Sequence, residues 1–577
     1  MNFLYKTFPI LQWLPSYKKS QLNGDLFAGL TVGIMLIPQG MAYALVAGLP
    51  PVYGLYASVV PQIIYAILGT SRQLSVAPVA MDSLLVAAGV SVLATEGTDA
   101  YIQLAILLAF FMGLFQLLLG ILKMGFITNL LSKPVMSGFT SAAAIIIGLN
   151  QLKYLVGVEI EKSNRMYEVV YDAFQKLDEI HIITLAIGIG GIGIIKGVKR
   201  LHESIPGALI AVSWGIFIVF EFNLSGNGVE IVKTIPEGLP SFNIPDFSWG
   251  KFSQLIPLAM TISVVAFMEA YTVAKAIESQ RKTHKVMPNQ ELVGLGTANL
   301  VGAFFQSYPV TGGFSRSAVN EQSGANTPLS SFISAGLVSL TLLFLTPLFY
   351  YLPMAILASV IMVAVSNLID VGYVKTLWKE NKMEFFLLMI TFLITLNFSM
   401  VSGIVTGVIL SVLILLYKAA YPHVAILGRL KGQAGFRNIR RFKDLETWED
   451  KLILRIDASL TFINIQFLRD YLEEALADNS NVSKIIIDAS AISYLDATAV
   501  QGLFDIIQKL KEKGVQLILT DIIGPVRDTL YTTGLLQKIG INNVYLTLND
   551  ALENMEKSDY HNRAIALQHG LIGKVKR

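Results

Sequence analysis

Ser75-Val76-Ala77-Pro78-Val79-Ala80-Met81-Asp82-Ser83 and Tyr308-Pro309-Val310-Thr311-Gly312-Gly313-Phe314-Ser315-Arg316-Ser317 each interrupt an otherwise apolar chain in the same manner. Each has a proline in an extended stretch, then small residues, then a helix start. A helix that begins at mid-membrane leaves free N–H groups there, worth about half a positive charge. Two such N-termini facing each other make an anion site. Interrupted segments at corresponding places in two halves of a membrane chain point to a carrier's binding site. The plainer alternative is that Pro78 and Gly312-Gly313 only kink ordinary helices.

The composition around these stretches agrees with a membrane setting. The chain has 577 residues, 53% hydrophobic and 15% charged, against about 25% charged in an ordinary soluble domain. A globule of this make-up would expose apolar patches far beyond what soluble monomers tolerate. Lys+Arg 44 against Asp+Glu 41 leaves +3, too balanced for a nucleic-acid binder. The absence of cysteine excludes disulfides, thiol nucleophiles and Cys-ligated metals.

A full span needs ~20 apolar residues. Full candidates are 25–47, 101–122, 127–149, 181–198, 205–222, 253–277, 327–346, 353–371, 383–398 and 400–420. Shorter pieces at 54–69, 78–94, 291–305 and after Pro309 bring the total to about fourteen. Cations recur at alternate breaks: Arg72; Lys123; Lys196, Lys199 and Arg200; Arg281, Lys282 and Lys285; Lys375, Lys379 and Lys382; and Lys418. The positive-inside rule then places both termini in the cytoplasm, in a cell inner or plasma membrane. Residues 1–24, with Lys6, Lys18 and Lys19, read as a cytoplasmic amphipathic lead-in, and 25–421 as the membrane domain.

Ionisable residues inside a membrane are expensive and functional by default. Three stand out: Asp82, Glu269 and Arg316. Glu269 lies too deep to reach the interface easily, which suits a carboxyl that loads and releases a proton. Arg316 cannot discharge, so it must face a counter-ion, a substrate anion or water. The structural alternative is a closed ion pair of Arg316 with Glu269 or Asp82. For Asp82 a second alternative is an acid favoured by the helix dipole.

The runs Ala28-Gly29-Leu30-Thr31-Val32-Gly33, Ile37-Pro38-Gln39-Gly40-Met41-Ala42-Tyr43-Ala44 and Ala47-Gly48-Leu49-Pro50-Pro51-Val52-Tyr53-Gly54-Leu55-Tyr56 resemble the first-helix signature of the SulP family of anion transporters. Pro309–Asn320 and Glu269-Ala270 resemble that family's tenth and eighth segments. The resemblance implies an α-helical polytopic membrane protein of about fourteen segments. These would form two inverted seven-segment repeats, divided into a core and a gate domain. It further implies an anion held between the third and tenth segments and an elevator-like movement of the core. Carried onto this chain, the lining would comprise Gln39, Tyr43, Ala77, Ala80, Ser83, Phe314, Ser315 and Arg316. Glu269, with Asp82, would serve proton coupling. Asp82 stands where the family more often has an apolar residue, and a fixed negative charge there would repel an anion unless protonated or paired.

From Lys451 the pattern changes to strand-like 451–456, helix-like 464–477, strand-like 484–489, helix-like 496–513 and strand-like 515–520. Alternating strands and helices argue an α/β layer. The region 433–557 resembles a STAS domain, followed by a tail at 558–577. In its loop Ile492-Ser493-Tyr494-Leu495-Asp496-Ala497-Thr498, Thr498 takes the place of a phosphorylatable serine, while Asp496 reads equally as a helix N-cap. No Walker loop, Gly-rich fingerprint or metal spacing is present, so neither an enzyme nor a cofactor is expected. The expected function is secondary active transport of small oxyanions, first of all proton-coupled sulfate uptake, by a homodimer in the lipid bilayer. Bicarbonate or dicarboxylate symport, an uncoupled exchanger or channel, and a regulatory protein with the STAS domain as output remain alternatives.

Overall fold

The computed structural model describes residues 7–126, 132–160, 166–201, 206–246, 249–281, 284–433, 435–479 and 481–553. Lys6, Lys282, the first turn of the expected span 127–149, residues 554–557 and the expected tail 558–577 lie outside the described residues. The chain divides into two compact units, Met1–Ser411 and Val412–Arg577.

The principal helices of the first unit are α1 (Lys19–Val46), α2 (Pro51–Tyr56), α3 (Val60–Leu68), α4 (Ala80–Val90), α5 (Asp99–Ile121) and α6 (Lys133–Asn150). They continue with α7 (Ile182–Leu201), α8 (Gly207–Glu221), α9 (Trp249–Arg281), α10 (Pro288–Ala303) and α11 (Phe314–Gln322). The last are α12 (Leu329–Leu340), α13 (Met354–Ser366), α14 (Lys382–Asn397) and α15 (Met400–Ala420), which runs past the division at Ser411. Among the described residues, nine helices are long and apolar enough to cross a bilayer, and α4 and α8 are shorter apolar helices. α1 begins at Lys19, six residues before the expected boundary at 25, because the Lys18 N–H donates to Gln21 Oε1 at 3.0 Å and starts the first turn early.

Small residues set the tightest helix contacts. A Cβ on Gly113 would run into the backbone of Leu300 and Gly296, and one on Gly296 into that of Leu117 and Gly113, so α5 and α10 meet backbone to backbone. Without a hydrophobic drive between helices in lipid, such close approach is what holds them together.

Two very short strands, β1 (Val76–Ala77) and β2 (Thr311–Gly312), pair antiparallel with Val76 opposite Gly312 and Ala77 opposite Thr311. Irregular backbone at membrane depth survives only where its polar groups are satisfied by protein. Gly313 N–H donates to Ser75 O at 3.0 Å and Ser75 N–H to Ser317 Oγ at 2.9 Å. Asn299 closes the remaining gap: its Nδ2 donates to Val310 O at 2.9 Å and its Oδ1 accepts from Val310 N at 2.8 Å.

The second unit is a sheet in the order β4-β3-β6-β7-β8-β9, with β5 beside β3. Its strands are β3 (Val424–Leu430), β4 (Phe436–Asn438), β5 (Leu445–Glu446), β6 (Lys451–Ile456), β7 (Lys484–Asp488), β8 (Gln516–Thr520) and β9 (Val544–Tyr545). β6 to β9 are parallel, with helix Ile465–Asp478 crossing from β6 to β7, Ala497–Glu512 from β7 to β8, and Gly524–Thr532 with Leu535–Ile539 from β8 to β9. The pleat sorts the core: Leu454, Ile485, Ile487, Leu517 and Leu519 face one layer, while Ile453, Ile486 and Ile518 face the other. The sheet starts upstream of 433, since β3 pairs antiparallel with β6 through Ala425 and Arg455.

Candidate functional site

Each half-helix follows directly on its strand: α4 starts at Ala80 after Val79, and α11 at Phe314 after Gly313. Because β1 and β2 are antiparallel, α4 and α11 leave the strand pair from its two ends in opposite directions, and Arg316 in the first turn of α11 reaches back to the Ala77 and Pro78 carbonyls that lead into α4. Each half-helix thus brings the free N–H groups of its first turn and the positive end of its dipole to one end of the strand pair. The plain-kink alternative fails, since a kinked helix would not place its break in a strand pair with the other half.

The expected residues distribute around this crossing. Gln39 and Tyr43 are four apart on α1, hence on one face, and both are buried. α1 packs against α4 and α11. Ala77 lies in β1 opposite Thr311, and Ala80 opens α4. Ser83 Oγ shares a hydrogen bond of 3.2 Å with Tyr308 Oη, and both residues are fully buried. Phe314 and Ser315 are exposed in the first turn of α11, with Phe314 62% accessible.

Arg316 is buried, and its partners are main-chain carbonyls. Nη1 donates to Pro78 O at 2.8 Å and Nη2 to Ala77 O at 3.2 Å. A Cβ on Gly313 would collide with this guanidinium, so glycine there leaves room for it. Among the described residues Arg316 forms no ion pair with Glu269 or Asp82, and its Nε is buried without a partner. The closed-pair alternative is not what the structure contains.

Both Asp82 carboxylate oxygens and Glu269 Oε2 are buried with no hydrogen-bond partner. Arg316 interacts electrostatically with Glu269 and Tyr43, and Asp82 with Glu269. Two acids and one cation thus surround the crossing without neutralising one another by contact. Among the described residues no group of three His, Cys, Asp or Glu side chains is placed to hold a metal.

Several contributors escaped the reading of the sequence. Asn299, Thr311 and Tyr308 are fully buried: Asn299 holds Val310, Tyr308 meets Ser83, and the Thr311 hydroxyl ties β2 to α9 through Ala266 O, while Gln116 Oε1 lies 3.4 Å from Asn299 Nδ2. Their signal was a polar residue inside an apolar segment, which attracts attention less readily than a charge. In the second unit, Asp496 caps the helix Ala497–Glu512: Oδ1 accepts from Ala499 N at 2.7 Å and Oδ2 from Phe462 N at 2.8 Å. Thr498 is exposed in the first turn of that helix.

Comparison with known proteins bears on this geometry. Residues 22–391 match the sulfate permease family and residues 443–551 the STAS domain. "Sulfate transporter 4.1, chloroplastic" of Arabidopsis thaliana is 36% identical over 572 residues, covering 96% of this chain and 83% of that protein. "Sodium-independent sulfate anion transporter" of Bos taurus is 33% identical, covering 92% and 89% respectively. The fold is similar to the structure of the murine Solute Carrier 26 family member A9 anion transporter in the inward-facing state. That similarity has a TM-score of 0.88 at 24% identity and covers 96% of this chain and 94% of that one.

Proposed function

The chain belongs to the sulfate permease family, and from that premise we propose that it is a secondary active transporter of small oxyanions, with proton-coupled sulfate uptake as its activity. One observation carries the reading: two half-helices start from an antiparallel strand pair, and Arg316 in the first turn of one is anchored on the carbonyls that lead into the other. A divalent oxyanion there would take hydrogen bonds from the free N–H groups of α4 and α11 and from Ser315, and would lie in the field of Arg316. Gln39 and Tyr43 would close the site from α1, and Ala77, Ala80, Ser83 and Phe314 would line it.

Glu269 supplies the coupling. A proton on its carboxyl removes a negative charge near the anion, so proton and anion favour each other, which in linkage terms is symport. Asp82 acts in the same field. The lack of a hydrogen-bond partner at both Asp82 oxygens and at Glu269 Oε2 supports this role over a structural one. Transport proceeds by alternating access, the core moving as an elevator against the gate, in a homodimer of the plasma or inner membrane with both termini cytoplasmic. The relatives are named as transporters, which supports a protein without enzymatic activity. The STAS domain serves docking and assembly.

Uptake of labelled sulfate, bicarbonate and succinate into proteoliposomes, with and without an imposed pH gradient, tests the reading. Sulfate should accumulate only when the gradient drives protons in the same direction. Glu269→Gln should keep sulfate exchange at equilibrium and lose the accumulation. Gradient-driven accumulation that survives in Glu269→Gln removes the coupling role. Flux indifferent to the gradient in the unaltered protein leaves an exchanger or channel.

A further inference from the structure

Thr311 is fully buried in β2, and its Oγ1 donates to the carbonyl of Ala266 at 2.7 Å. Ala266 lies on α9, three residues before Glu269 and four before Ala270. In an α-helix those positions share one face, and the Ala266 carbonyl is the acceptor for the N–H of Ala270. The hydroxyl therefore grips the helix on the face that carries Glu269. Among the described residues it is the one side-chain hydrogen bond between the strand pair and α9. The other links from α9 to the tenth segment are at its far end, where Arg281 binds Glu321 and Ala325 O.

The backbone of Thr311 belongs to the other half of the arrangement. It pairs with Ala77, whose carbonyl receives Arg316 Nη2 at 3.2 Å. On its N-terminal side Val310 is clamped by Asn299 at both N–H and C=O. Any shift of the strand pair on anion binding would thus be passed through a short link to the turn of α9 that carries Glu269. Leu, Val or Ile would fill the volume but could not hold the carbonyl.

We propose that Thr311 is the positioning residue that couples anion occupancy between the half-helices to proton occupancy at Glu269. The proposal rests on the proton-coupled reading given above. Two quantities separate it from a merely structural role: sulfate counterflow without a pH gradient, and sulfate accumulation driven by one. Both are measured on the full-length protein in proteoliposomes with labelled sulfate.

Thr311→Val, which keeps the shape and loses the hydroxyl, should retain counterflow. Its gradient-driven accumulation should drop by roughly five-fold or more, the lower end of ordinary coupling between two sites. Thr311→Ser should restore the accumulation. An unchanged ratio of accumulation to counterflow in Thr311→Val overturns the proposal, as does a proportional loss of both quantities. Absence of accumulation in the unaltered protein is a separate outcome: it removes the proton-coupled reading and this proposal with it.

Discussion

Arg316 Nη1 donates to the main-chain carbonyl of Pro78 at 2.8 Å, so the cation of one half-helix is held by the peptide leading into the other. The carbonyls of Ala77 and Pro78 anchor the two Nη groups of the guanidinium without cancelling its charge. An arginine neutralised by a carboxylate would be a structural cross-link, whereas one anchored by neutral dipoles still projects a full positive charge into the crossing.

Arg316→Lys should therefore weaken sulfate binding, because an ammonium cannot span two adjacent carbonyls as the planar fork does. The half-saturation concentration in counterflow should rise by roughly tenfold or more, equivalent to about 1.4 kcal/mol. An unchanged value in a properly folded Arg316→Lys protein would take the cation out of the site.

Asp82→Asn should act in the opposite direction. Both Asp82 oxygens are buried and unpartnered beside the crossing, so any charge there repels the anion. The amide should tighten sulfate binding by on the order of tenfold at neutral pH. It should also flatten the pH dependence of uptake. Weaker binding in Asp82→Asn would mean that the carboxyl serves the site by some other route.

Glu291 predicts a stability effect distinct from transport. Its Oε1 accepts from Thr70 N at 2.7 Å, Thr70 Oγ1 at 2.5 Å and Ser71 N at 3.1 Å, while Oε2 accepts from Tyr65 Oη at 2.6 Å. Glu291→Ala would leave these donors buried and unmatched, a loss on the order of 3 kcal/mol or more. Glu291→Gln keeps one acceptor and should lose less. Melting temperatures in detergent should rank the unaltered protein above Gln, and Gln above Ala. An equal Tm for Gln and Ala would show that the hydrogen bonds at Oε1 do not matter.

His284, between α9 and α10, gives a pH prediction. Burial pushes its imidazole down to about 4, with the charges of Arg72 and Arg281 acting the same way and Glu278 opposing. The unfolded chain takes up a proton near 6.5 while the folded one does not, so the contribution is full above pH 6.5 and lost as pH falls toward 4. The Tm of the unaltered protein should drop between pH 7 and pH 4.5 by more than that of His284→Gln. Parallel curves for the two proteins would exclude His284 as a source of acid sensitivity.

The linear sequence determined the membrane class, the two broken segments, the α/β appendage and the three intramembrane charges. Hydrophobic periodicity, proline and glycine placement and the cost of a charge in lipid are all local quantities, readable one residue at a time. Asp496 as a helix cap was likewise legible, since a cap bonds residues a few positions away. Which groups satisfy which others was decided only by tertiary structure. Arg316 reaches carbonyls more than two hundred residues away, Asn299 clamps the residue before a strand eleven positions on, and Thr311 holds a helix forty-five residues back. A buried polar group must find a partner at membrane depth, but the choice among acids, carbonyls and amides depends on which of them the folded chain brings within three ångströms. The same limit hid Asn299 and Thr311: their residue types are ordinary, and only their position beside an interrupted backbone makes them matter.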